Sequence, residues 1–70
     1  VQAGVPDLFL PVARGGDHGL FIEMKARDGK LSKGQEAWLI GLRIQGYDAL
    51  MCHSATEAID YLTRYLDSPK

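Results

Sequence analysis

Two helix starts dominate this chain. Ser32-Lys33-Gly34-Gln35 and Ser54-Ala55-Thr56-Glu57 both carry the S-x-x-E/Q spacing in which a serine caps the first turn and an acid or amide reaches back. After the first, Trp38, Leu39 and Leu42 form an apolar stripe that Ala37, Ile40 and Ile44 widen, and Gly46 follows as a residue able to close a helix. After the second, Ala58, Ile59, Leu62 and Leu66 fit one helical face and Pro69 ends it. What remains are short apolar runs at residues 7–13, 20–25 and 48–52, each of strand length.

The order is therefore strand, strand, helix, strand, helix. Arg14-Gly15-Gly16-Asp17-His18-Gly19 is turn-forming and makes the first two strands an antiparallel hairpin. The helix that follows lets its flanking strands run parallel through a crossover. Pro11 lacks a ladder donor, so the first strand belongs at an edge or is bulged there. The expected class is α/β, a small mixed sheet flanked by helices in one domain spanning residues 1–70.

Seventy residues bury only about 60% of the surface of the unfolded chain, so the core is small. One cysteine, Cys52, excludes an internal disulfide. No apolar run approaches the ~20 residues of a membrane span and no signal-peptide pattern opens the chain, so a cytoplasmic setting is expected. The chain opens at Val1 rather than methionine, which points to a polypeptide trimmed at its N-terminus. A net charge of −1 argues against a passive DNA binder, whose affinity comes from many phosphate contacts. A metal enzyme is compatible with it, because bound cations reverse the local field.

The chemistry concentrates in Pro6-Asp7 and Ile22-Glu23-Met24-Lys25. In a strand, side chains alternate faces at about 3.3 Å per residue, so Glu23 and Lys25 share a face roughly 7 Å apart while Ile22 and Met24 turn to the core. If the Asp7 strand lies alongside, two carboxylates and an ammonium converge. Mg²⁺ is commonly held by one or two carboxylates plus phosphate oxygens and water. A nearby lysine orients a water or neutralises charge on a phosphate. The bland alternatives are an Asp7 turn and a Glu23–Lys25 surface pair worth little.

Elsewhere the bland readings are favoured. His18 in its glycine-rich turn is expected to be exposed, His53 structural, Cys52 a small core residue, Trp38 core, and Ser32 a cap. For Gln35 the two readings stand level: its capping box alone explains it, and a cap and a site role can coexist. Arg14 and Arg27 are possible phosphate contacts, and Lys25, Arg27, Lys30 and Lys33 cluster directly after the acid pair.

Taken together, Gly4-Val5-Pro6-Asp7-Leu8, Phe21-Ile22-Glu23-Met24-Lys25, Leu31-Ser32-Lys33-Gly34-Gln35 and Gly46-Tyr47-Asp48 resemble the VRR-NUC family of the PD-(D/E)XK nuclease superfamily. The resemblance runs from Gly4 to about Leu66. It implies a restriction-endonuclease-like core and metal-dependent hydrolysis of DNA phosphodiesters. Residue by residue, it implies that Asp7 and Glu23 bind Mg²⁺ or Mn²⁺ and that the Met24 carbonyl completes the metal site. Lys25 would position or activate water, and Gln35 matches the family's glutamine beside the active site. Many relatives carry one more acidic residue on a helix upstream of the PD motif, and usually one more strand. Neither has a counterpart here, which implies a removed segment or a second subunit that completes the site. By analogy the family suggests branched DNA such as Holliday junctions, a phage or bacterial source, and a homodimer. The alternative is a non-catalytic nucleic-acid-binding or assembly module that keeps the nuclease fold.

Overall fold

The computed structural model describes residues 5–70. Val1 and the Gly4 of the first motif lie outside the described residues. Five elements follow in the expected order: β1 (Leu8–Leu10), β2 (Leu20–Met24), α1 (Lys33–Ile44), β3 (Asp48–Cys52) and α2 (Ala55–Asp67). The sheet order is β1-β2-β3, with β1 antiparallel and β3 parallel to the central β2.

β1 stops at Leu10, three residues short of the expected end. Pro11 has no N–H for the ladder, and the next donor, Val12 N–H, turns back to the Leu10 carbonyl at 2.9 Å. Gly15 and Gly16 take positive φ values of 58° and 89° in the turn, which the Arg14–Asp17 bridge closes.

Both helix starts form, but they differ. At α1 the capping box is complete: Ser32 Oγ accepts from Gln35 N at 3.1 Å, and Gln35 Oε1 accepts from Ser32 N at 2.9 Å. At α2, Ser54 Oγ accepts from Glu57 N, yet the Glu57 carboxylate reaches one residue further back, to His53 N–H at 3.3 Å. The second box is therefore only half made. α1 ends with Gly46 at φ 94°, Gly46 N–H on Arg43 O and Tyr47 N–H on Leu42 O, the paired bonds of a Schellman motif.

Strand alternation divides the residues between two faces. Leu20, Ile22, Cys52, Ala58 and Tyr65 form the buried core under α2, with Leu10, Met24, Leu50, Tyr61 and Leu62 packed on it. Cys52 is fully buried, as expected of a small core residue. α1 packs on β3 from the other face, where Leu39 and Ala49 are buried.

The helical faces need correction. Ile59 and Leu66 are 62% and 44% exposed; Tyr61 and Tyr65 take the inward positions instead. An apolar ring with a polar tip fits there because each hydroxyl finds a buried-side acceptor, Asp48 Oδ2 for Tyr61 and Val12 O for Tyr65, both at 2.6 Å. On α1, Ile40 and Ile44 likewise face outward and Trp38 is half-buried. No helix among the described residues is long and apolar enough to cross a membrane.

Candidate active site

The antiparallel register pairs Leu8 with Ile22 and Phe9 with Phe21. Continued by one step, it sets Asp7 opposite Glu23, the geometry in which Cβ atoms stand about 5 Å apart. Asp7 is held there by its carboxylate: Oδ2 accepts the Met24 N–H at 2.9 Å. Asp7 therefore ends the β1 ladder with a side chain in place of a carbonyl, which is how a residue in a turn joins a strand.

Glu23 is the unusual member. It is only 4% exposed, the one buried charged residue among those described. Oε2 accepts a hydrogen bond from Gln35 Nε2 at 3.0 Å and lies 3.9 Å from Lys25 Nζ. Oε1 is buried and has no hydrogen-bond partner. Burial pushes the Glu23 carboxyl above its ordinary value, the Asp7 charge pushes it further, and Lys25 pulls partly the other way.

Four of the predicted site residues thus come together, from three local causes. β2 alternation brings Glu23 and Lys25 to one face, β1 pairing brings Asp7, and the α1 capping box aims Gln35. Met24 contributes main chain to the site while its side chain packs toward α2. Arg27 and Lys30 are exposed in the loop that follows, at the same end of the sheet. Arg14 lies beyond the opposite, Leu20 end, where its guanidinium bonds the Leu66 and Ala13 carbonyls. It serves the fold rather than this site. His18 is exposed, and His53 Nδ1 sits 2.9 Å from Ala26 O, tying β3 to the loop after Lys25.

Sequence reasoning missed the Tyr61–Asp48 pair, whose phenol is pushed up to about 12 chiefly by burial and by its bond to Asp48. Only the stripe of tyrosines at i and i+4 could have signalled it.

Two carboxylates at one point, one of them buried with an unpartnered oxygen, form an arrangement that fits a hard cation. Among the described residues no cluster of three or more His, Cys, Asp or Glu side chains accompanies them. Asp7 and Glu23 are the two side chains that could hold such a cation there.

Residues 1–56 match the model of the VRR-NUC domain. The chain belongs to the VRR-NUC family. A solved structure described as a VRR_NUC domain protein is 31% identical and superposes with a TM-score of 0.94. The alignment covers 100% of this chain and 58% of the other, so the present chain spans little more than half of that protein. No match was found among the curated proteins. The fold is accordingly that of a nuclease family, a mixed three-stranded sheet with helices on both faces.

Proposed function

We propose that this VRR-NUC domain is a metal-dependent DNA endonuclease. The observation that carries the reading is Glu23, a buried carboxylate with one oxygen fixed by Gln35 and the other unpartnered beside Asp7. Buried carboxylate oxygens are as a rule hydrogen-bonded, so an unpartnered one beside a second carboxylate favours a bound ion over a purely structural role.

Asp7, Glu23 and the Met24 carbonyl would hold Mg²⁺ or Mn²⁺. When bound, such an ion polarises a phosphate oxygen and lowers the pKa of a coordinated water. Lys25, 3.9 Å from Glu23, orients the attacking water and balances negative charge that builds on the phosphate. Gln35 fixes the rotamer of Glu23, and the exposed Arg27 and Lys30 offer positive charge to a phosphate backbone. Branched DNA such as a four-way junction is the proposed substrate, with a homodimer presenting two sites to two strands.

The test is cleavage of labelled four-way junction, flap, single-stranded and linear duplex DNA with Mg²⁺, Mn²⁺ or EDTA, beside Lys25→Ala. Metal-dependent cutting that is lost in the variant is expected. A chain that binds DNA but cuts none of these substrates with either metal is a binding module.

A further inference from the structure

Lys25 stands one residue past the end of β2, so the strand alone does not fix where its ammonium lies. The Glu23 carboxylate does not fix it either: 3.9 Å between Nζ and Oε2 is longer than a hydrogen bond. The position of the lysine must come from the main chain that carries it.

That main chain is gripped on both sides of Lys25. Ahead of the side chain, Lys25 N–H donates to Cys52 O at 2.9 Å and extends the β2–β3 ladder by one residue. Behind it, the Ala26 carbonyl accepts twice, from Gly29 N–H at 2.8 Å and from the His53 ring at Nδ1 at 2.9 Å. A carbonyl can only accept, so Nδ1 carries the proton. The Gly29 bond closes a tight turn through Arg27 and Asp28, and the turn folds back onto the lysine stem. A Cβ on Gly29 would stand 3.3 Å from Lys25 Cβ and 3.1 Å from Ala26 O, closer than neighbours ordinarily pack. The His53 bond ties this whole turn to the end of β3.

His53 is itself firmly placed. It lies between fully buried Cys52 and Ser54, the N-cap of α2, and its own N–H donates to the Glu57 carboxylate at 3.3 Å. The parallel register pairs Glu23 with Met51 and Met24 with Cys52. Continued by one step, it sets His53 beside Lys25 on the face that bears Glu23. Cys52 by its main chain and His53 by its side chain therefore hold the two peptide units that flank Lys25.

We infer that His53 is a positioning residue for Lys25: its Nδ1–H holds the Ala26 carbonyl, and with it the turn that aims the lysine into the candidate active site. His53 acts through the main chain and not on the substrate. A displacement of about 1 Å in a reacting group slows a reaction by up to about 100-fold, so a single tether at this point has kinetic weight. This rests on the nuclease reading for the role of Lys25.

The test combines the imidazole tautomer with the kinetics of two variants. Long-range proton–nitrogen spectra of metal-free wild type in mildly alkaline buffer should show the Nδ1–H tautomer of His53, whereas a free neutral imidazole favours Nε2–H. His53→Phe keeps a ring but has no donor, and His53→Asn sets an amide N–H close to where Nδ1 stands. In Mn²⁺-dependent cleavage His53→Phe should lower kcat about 10-fold or more with KM changed less than about 2-fold. It should keep the rise in melting temperature that Mn²⁺ gives wild type, and His53→Asn should recover most of kcat. An Nε2–H tautomer in wild type overturns the inference. So does a His53→Phe protein that cuts like wild type, loses the Mn²⁺ shift or fails to fold. A His53→Asn protein as slow as His53→Phe overturns it too, since the ring and not its bond would then matter. Wild type that cuts no substrate refutes the nuclease reading, and the inference falls with it; wild type that cuts beside an equally active His53→Phe refutes the inference alone.

Discussion

Gln35 donates from Nε2 to Oε2 of Glu23 at 3.0 Å, while the other end of the same amide accepts the Ser32 N–H that opens α1. One side chain thus closes the helix cap and orients the buried carboxylate. Gln35→Ala should cost about 1–3 kcal/mol by removing a bond to a charged group and half of the cap. Gln35→Glu keeps the capping geometry but sets a like charge against Glu23. Urea melts of both variants separate the two roles: a Gln35→Glu protein as stable as wild type at neutral pH would show that the Glu23 contact carries no energy.

Glu23 itself weakens the metal-free fold at neutral pH. Its carboxyl is raised in the folded state above the ordinary 4.5, so the folded chain holds that proton more tightly than the unfolded one. Stability from this group is full below about 4.5 and is lost as pH rises through the raised value. Glu23→Gln removes the charge and should melt higher than wild type at neutral pH by a few degrees, about 1 kcal/mol, with the gap closing under acid. Mn²⁺ or Mg²⁺ should raise the melting temperature of wild type and leave Glu23→Gln unmoved. A pH-independent difference between the two proteins would contradict this account.

Asp7→Ala and Lys25→Ala should each lower cleavage by about 100-fold or more while the fold persists. They should differ in metal response. Asp7→Ala loses the shift in melting temperature with Mn²⁺, whereas Lys25→Ala keeps it, because a cation that aligns water is no ligand. Loss of the metal shift in Lys25→Ala would reassign that residue.

Tyr61→Phe leaves the half-buried Asp48 carboxylate without its 2.6 Å donor. A loss of about 1–2 kcal/mol is expected, worth roughly 4–8 °C per kcal/mol in a domain of this size. The Tyr61 phenol should ionise only near 12, so the stability that its proton confers holds below the ordinary 10 and disappears as pH climbs through 12. Asp48→Asn should bring that ionisation down, as read by phenolate absorbance. Asp48 pairs with Leu20, at the end of β2 away from Glu23, so cleavage should be unchanged in Tyr61→Phe.

Element order, the edge placement of β1 among the described residues and the meeting of Asp7 with Glu23 and Lys25 on one face were legible in the chain. Capping chemistry, proline and glycine act through bonds to the nearest few residues, so local sequence determines them. The period of two in Ile22-Glu23-Met24-Lys25 determined which side chains share a face. What the sequence left open is what depends on distant neighbours. Whether Ile59 or Tyr61 faces inward was decided by Asp48, thirteen residues from Tyr61 along the chain and 2.6 Å from it in space. The burial of Glu23, its bond to Gln35 and the orphaned oxygen beside Asp7 arise where β1, β2 and α1 meet. A carboxylate acquires an altered affinity for protons or metal ions from the groups that exclude water around it, and those groups are assembled by the fold.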